Sequence, residues 1–347
     1  MIITMSSESY VFDPRPNYPL VVTAKRYWKQ SSPYLDDPEA LTLIFAHGTG
    51  FHKEQWEPTM DELNILLEGN HGAFKVREMW SIDAPNHGDA AVLNEKALKW
   101  GYEPVFGWEE YGRTLHAFLT GFGTGVDVDF SKRRLVGIGH SMGASCLILS
   151  LGYSPTIKFE SLILCELMSM AQRYTGKPSS MLVNGAVNRR DIWPTREDAY
   201  KLLKSRPAWK AWDDRVLRIF VNEGMRPLPT VDYPDKTDGV TLKCSRIQET
   251  ACYRDPLGPS RPYIMLKHVA KRLPVHMIYG AIDDYIPREV KEDVVKNAAG
   301  GEENLASLSR VENAGHLVIQ MNPTGLAQRI HEALFLTFGS RKLQARL

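Results

Sequence analysis

The sequence predicts an α/β fold, a mostly parallel central sheet with helices on both faces and a helical cap inserted late in the chain. Three observations predict it. Short apolar runs alternate with helix-spaced segments through the first half of the chain, the rhythm of a doubly wound sheet. One run, Arg134-Leu135-Val136, leads into Gly137-Ile138-Gly139-His140-Ser141-Met142-Gly143-Ala144 and then into a helix-forming stretch, so a serine sits on a sharp strand-to-helix turn. From about residue 167 to 266 the rhythm stops, and afterwards it resumes.

The 347 residues suit one large α/β unit with an insertion. Lys and Arg number 42 against 41 Asp and Glu. That balance argues against a nucleic-acid surface or a polybasic membrane patch. No charged and then apolar leader opens the chain, so no signal peptide is expected. No apolar run approaches the ~20 residues of a membrane-spanning helix. Cys146, Cys165, Cys244 and Cys252 show no C-x-x-C spacing, and the first two lie in apolar runs as buried thiols would, which suits a reducing compartment.

In chain order, residues 18–28 hold the strand-like Leu20-Val21-Val22-Thr23-Ala24. Residues 41–46 are apolar throughout, as a strand covered on both faces should be, and end in His47-Gly48-Thr49-Gly50. Helical spacing marks residues 56–67. A strand at 77–82 ends in Asp83-Ala84-Pro85-Asn86-His87-Gly88, and a helix at 109–118 precedes the serine turn. Ser161-Leu162-Ile163-Leu164-Cys165-Glu166 is the next strand, and the carboxylate at its apolar end needs a partner. Within the interruption, residues 195–204 and 207–224 read as amphipathic helices, the first N-capped by Thr195 ahead of Glu197-Asp198. The sheet resumes at 275–279 and runs into Gly280-Ala281-Ile282-Asp283-Asp284-Tyr285. A last strand at 305–311 leads through Glu312-Asn313-Ala314-Gly315-His316 to a helix at 323–338. The division is a core at 1–166 and 267–347 with a cap at 167–266. Met168, Met170, Trp193, Trp209, Trp212, Phe220 and Met225 belong either to an acyl pocket or to the cap's own core.

This pattern points to acyl chemistry. Gly139 and Gly143 leave room for a strained turn that lifts the Ser141 hydroxyl clear of the sheet, and the following helix aims its N-terminus at any negative charge that forms there. Backbone N–H groups of Thr49 and Met142 are the expected oxyanion donors. His316, in a glycine-containing loop after the last strand, is the expected general base. Glu166 and Asp283 are both candidates for the acid that orients it, in the chain order serine, acid, histidine. His47, Gly48, Phe51 and His52 in the H-G-T-G loop and His140 beside the serine are expected to contact substrate, with the solvated start of the next helix as the alternative for His52. No H-E-x-x-H or paired ligand spacing appears, so neither a metal nor a cofactor is expected.

Together, G-H-S-M-G, the H-G-T-G loop, D-A-P-N-H-G, G-A-I-D-D-Y-I-P and A-G-H-L-V resemble the α/β-hydrolase superfamily over roughly residues 41–338. Thr49-Gly50-Phe51-His52-Lys53-Glu54 and Arg189-Arg190-Asp191-Ile192-Trp193-Pro194-Thr195-Arg196-Glu197 are similar to a fungal branch of peroxisomal hydrolases. That branch includes the acyl-CoA hydrolase of mycophenolic acid biosynthesis, host-selective-toxin biosynthesis hydrolases and a yeast peroxisomal lipase. The resemblance implies a serine hydrolase acting on an ester or a coenzyme A thioester. It also implies an acid at the end of the strand after the serine turn, hence Glu166, where the mycophenolic acid enzyme has Asp followed by proline and this chain has Glu followed by Leu167. The commoner superfamily position maps to Asp283.

Two other classes are weighed against hydrolysis: an acyltransferase or cyclase using a substrate nucleophile in place of water, and a hydrolase-fold binding protein without turnover. The presence of both Ser141 and His316 argues against the latter, while epoxide hydrolase and dehalogenase chemistry needs a carboxylate at position 141. Ala345-Arg346-Leu347 resembles the small–basic–Leu form of the S-K-L peroxisomal signal, so an import receptor is an expected partner and the peroxisome the expected location, with the cytoplasm as alternative.

Overall fold

The computed structural model describes residues 5–70 and 72–339, and eleven strands run through them. They are β1 (Ser6–Phe12), β2 (Val22–Trp28), β3 (Leu41–Ala46), β4 (Val76–Ile82), β5 (Arg134–His140), β6 (Phe159–Cys165), β7 (Ile192–Trp193), β8 (Met225–Pro227), β9 (Val240–Leu242), β10 (Val275–Gly280) and β11 (Ser307–Val311). Eight of them form one sheet in the order β1-β2-β4-β3-β5-β6-β10-β11. The β1–β2 and β2–β4 pairs are antiparallel and the rest parallel.

Why the parallel strands read as unbroken apolar runs is visible in β3. Leu43 and Phe45 pack into the core on one face, and Ile44 and Ala46 into the core on the other, all fully buried. Helices Glu57–Glu68 and Pro323–Phe338 cover the first face and pack on each other; helices Trp108–Thr120, Met142–Ser150 and Ser260–Ala270 cover the second. An α-helix on each side hides both rows of side chains from water, the arrangement parallel sheets require.

Between β6 and β10 the chain builds a separate layer with its own apolar cluster, in which Trp193, Trp212, Val216, Phe220 and Met225 meet. It is not helical throughout, because β7, β9 and β8 form a small antiparallel sheet. Two expectations need correction here. The stretch 207–224 is two helices, Pro207–Lys210 and Asp214–Gly224, because the Asp213 side chain accepts from Arg215 N–H and restarts the helix as an N-cap. The boundary expected at 266 falls inside helix Ser260–Ala270, whose Leu266 and Val269 pack with the sheet layer. Thr195 caps helix Arg196–Ser205 by accepting from Asp198 N–H at 3.1 Å.

Among the described residues no helix is long and apolar enough to cross a membrane. All four cysteines are buried free thiols. Ala345, Arg346 and Leu347 lie outside the described residues.

Candidate active site

Parallel register brings the chemistry to one edge. His140 at the end of β5 pairs with Cys165 at the end of β6, and Ile278 of β10 pairs with Cys165 from the other side. The ladder continues one step further: Ser141 N–H donates to Cys165 O at 3.0 Å and Glu166 N–H to Ile278 O at 2.7 Å. Ser141, Glu166 and the loop after β10 therefore lie in a row beyond the carboxyl ends of the strands, where open α/β sheets bind ligands. The loop after β11 adds His316 to that row.

Ser141 has φ 54° and ψ −118°, a conformation costing roughly 1–3 kcal/mol for a residue with a side chain. The neighbouring glycines make it sterically possible. A Cβ on Gly139 would come within 2.5 Å of Ala144 Cα, and one on Gly143 within 2.3 Å of Ala46 O. His316 Nδ1 donates to Glu166 Oε2 at 3.1 Å, which leaves Nε2 to accept from Ser141 Oγ at 2.9 Å. Glu166, itself at φ 46°, is fully buried. Its Oε1 accepts from Gly280 N–H at 2.6 Å and from Lys291 Nζ at 2.9 Å. Burial by itself would raise this carboxyl, but the contacts with His316 and Lys291 hold it below the ordinary carboxylate value.

The loop after β3 faces Ser141. Thr49 Oγ1 donates to Met142 Sδ at 3.2 Å, so the two expected oxyanion residues touch. Two buried histidines hold the loop. His47 Nδ1 donates to Gly48 O at 2.8 Å while its Nε2 accepts from Ala84 N–H at 3.0 Å. His87 Nδ1 donates to Asn86 Oδ1 at 2.7 Å, and its Nε2 accepts from Gly50 N–H at 2.9 Å. Burial pushes His47 down to about 4 and His87 well below its usual value, so both are neutral near pH 7 and keep an acceptor nitrogen for these amides. This gives the D-A-P-N-H-G segment a physical role: it anchors the loop that carries Thr49.

A cavity of about 560 Å³ opens above Ser141, Thr49 and His316. Phe51, Met168, Met170, Trp209 and Trp212 form much of its apolar wall. Trp193, Phe220 and Met225 instead fill the core of the inserted layer. Of the five residues expected to contact substrate, Phe51 alone lines this cavity. His47, His52 and His140 are 0 %, 2 % and 0 % exposed, packed beneath the loop. His52 pairs with Glu54 at 2.8 Å, and His140 Nε2 donates to His316 O at 2.8 Å, with burial pushing His140 down to about 3. Gly48 lies against the His140 ring, where a Cβ would approach Nδ1 to 2.8 Å. These four residues support the loop and His316 and do not face the cavity.

Asp283 does not meet His316. It accepts from Arg288 Nε at 2.8 Å and lies 3.2 Å from Lys291 Nζ and 3.4 Å from Arg310. The adjacent Asp284 accepts the His316 backbone N–H at 2.8 Å. Three residues near the site escaped the sequence reading. Lys291 is buried behind Glu166, and Arg189 pairs with Glu249 inside the cavity beside Gly50. Arg189 opens the R-R-D-I-W-P-T-R-E stretch already singled out, a signal that could have found it. A buried lysine leaves no such trace.

Comparison with known proteins gives a consistent family. A family model described as "Alpha/beta hydrolase family" matches residues 43–329. The "Type I acyl-CoA thioesterase mpaH" of Penicillium brevicompactum is 31% identical over 220 residues, 62% of this chain and 47% of that protein. The "Peroxisomal membrane protein LPX1" of Saccharomyces cerevisiae is 33% identical over 138 residues, 39% of this chain and 33% of that protein. The matches thus span about half or less of these relatives' own length. The solved structure of the peroxisomal alpha-beta-hydrolase Lpx1 from Saccharomyces cerevisiae superposes with a TM-score of 0.71 at 21% identity, over 95% of this chain and 89% of that one, a likeness of fold.

Proposed function

The chain belongs to the alpha/beta hydrolase family, and from that premise we propose that it is a serine hydrolase cleaving an ester or an acyl-coenzyme A thioester through an acyl-enzyme on Ser141. The observation that carries the reading is the contact series Ser141 Oγ, His316 and Glu166, at 2.9 and 3.1 Å, opening into an apolar cavity. The thioesterase relative supports the thioester branch.

The steps follow from the geometry. Ser141 Oγ attacks the acyl carbonyl as His316 Nε2 takes its proton. The tetrahedral oxyanion accepts from Thr49 and Met142 N–H, the latter at the positive end of helix Met142–Ser150. His316 then passes the proton to the departing alkoxide or thiolate, leaving the acyl group on Ser141. Water, deprotonated by His316, repeats the sequence and frees the acid and Ser141. Glu166 keeps the Nδ1 proton on His316 and stabilises the imidazolium. The aromatic and methionine wall and the volume of about 560 Å³ favour a bulky apolar acyl group.

The test is kcat/KM across acyl-CoA thioesters of increasing bulk, p-nitrophenyl esters and triacylglycerols. Turnover rising with acyl bulk is expected, and absence of turnover on every ester and thioester would overturn the reading. Release of acyl product only when an alcohol or amine acceptor is added would identify acyl transfer instead.

A peroxisomal setting belongs to the same proposal, supported by the peroxisomal yeast relative. The full chain tagged at its N-terminus is expected to co-localise with a peroxisomal matrix marker in yeast. A diffuse signal would refute the setting without touching the chemistry.

A further inference from the structure

We propose that Lys291, backed by Asp283, is a positioning residue that fixes the Glu166 carboxylate against His316 and through it governs the acid limb of the pH–rate profile. The inference rests on the reading of Ser141, His316 and Glu166 as a triad.

Lys291 lies in helix Arg288–Asp293, directly after the loop that follows β10. Its side chain is 2% exposed, and its ammonium sits 2.9 Å from Glu166 Oε1, 3.2 Å from Asp283 Oδ1 and 5.0 Å from the centre of the Tyr279 ring. A buried ammonium is destabilising unless it is paired and hydrogen-bonded, and here two carboxylates share it. With Gly280 N–H and Lys291 both donating to Oε1, the Glu166 carboxylate cannot rotate without losing two donors, and Oε2 stays directed at His316.

The charges explain why Asp283 is needed. A lone Lys291–Glu166 pair would be neutral, and the imidazolium formed during turnover would face no net negative charge. Asp283 draws on the same ammonium, so Lys291 offsets less of the Glu166 charge than it would in a lone pair. Arg288 and Arg310 engage Asp283 from the outer side. Also near His316 are Ser141, Tyr285, whose ring centre is 5.7 Å away, the neutral His140 at 5.3 Å, Asp284 on its backbone N–H and, lining the same cavity on the Tyr285 side, Arg189 paired with Glu249. Asp283 thus acts on the base through Lys291 and Glu166 without touching the imidazole.

The sign of each substitution follows. Lys291→Met removes a positive charge near the imidazole, favours the imidazolium, and moves the acid limb of kcat/KM upward by about one pH unit. Asp283→Asn leaves Lys291 less neutralised, disfavours the imidazolium, and moves the acid limb downward by roughly half a unit. The experiment measures full pH profiles of the wild-type chain and both variants, after reaction of each with a fluorophosphonate has been checked. Opposite shifts support the proposal. Limbs that stay in place, or move in one direction for both variants, overturn it, since a purely structural role lowers the plateau without that pattern. If Lys291→Met does not fold, the downward shift in Asp283→Asn decides the matter alone. A wild-type chain that fails to react with the fluorophosphonate contradicts the triad reading itself, a different result from a limb that does not move.

Discussion

Ser141→Ala is expected to lower turnover by roughly 10⁴- to 10⁶-fold without unfolding the chain. The substitution removes one oxygen and keeps the Cβ, so the strained φ of 54° and the packing of Gly139 and Gly143 around it are unchanged. What disappears is the nucleophile and the hydroxyl that donates to His316 Nε2. Residual rate would come from the Thr49 and Met142 amides and from binding in the cavity, which survive the change. The check is kcat on the best substrate of the panel together with the thermal unfolding midpoint. A folded variant with near-normal turnover would contradict the nucleophile assignment.

Glu166→Gln is the second large effect, expected at roughly 10³- to 10⁴-fold in turnover. The side chain keeps its shape but loses an acceptor. Gly280 N–H and Lys291 both donate to the Oε1 position, so the amide oxygen must sit there and the NH₂ must face His316 Nδ1. Two donors cannot meet, and the imidazole is driven to the tautomer with its proton on Nε2, where it cannot take one from Ser141. Asp283→Asn has no such consequence for the tautomer, because Asp283 contacts Arg288, Lys291 and Arg310 and not the imidazole. Comparing kcat for the two variants at one pH above both acid limbs separates them. Equal, small losses would contradict the place of Glu166 in the triad.

The legibility of this site followed physical rules of unequal strength. Strands buried on both faces, such as β3 and β5, announce themselves by continuous apolar runs, and the glycines around Ser141 are dictated by contacts under 3 Å, so both were readable. Glu166 stood out, with Asp283 as the other candidate, because an acid ending an apolar strand demands a partner, and Glu166 is the one of the two in contact with His316. Strand β1 was not: Ser6–Phe12 is a mostly exposed antiparallel edge without apolar alternation. Helix Ser260–Ala270 was hidden behind Pro259 and Pro262, which look like breakers but lie at its N-terminal turn, where proline is tolerated. The histidines of the oxyanion region misled in the opposite direction. His47 and His52 look like substrate ligands because they flank the H-G-T-G loop, and His140 because it precedes Ser141, yet each is spent on a buried hydrogen bond. Lys291 was invisible, since nothing local distinguishes a lysine that ends up buried between two carboxylates from one on a solvated helix face.

The central claim is a covalent acyl-enzyme on Ser141, and peptide mapping by mass spectrometry after reaction with a fluorophosphonate tests it most directly. The account predicts a single phosphonate adduct on the peptide carrying Ser141, formed in the wild-type chain and absent from Ser141→Ala. An unmodified wild-type chain, or an adduct that persists in Ser141→Ala, would contradict it.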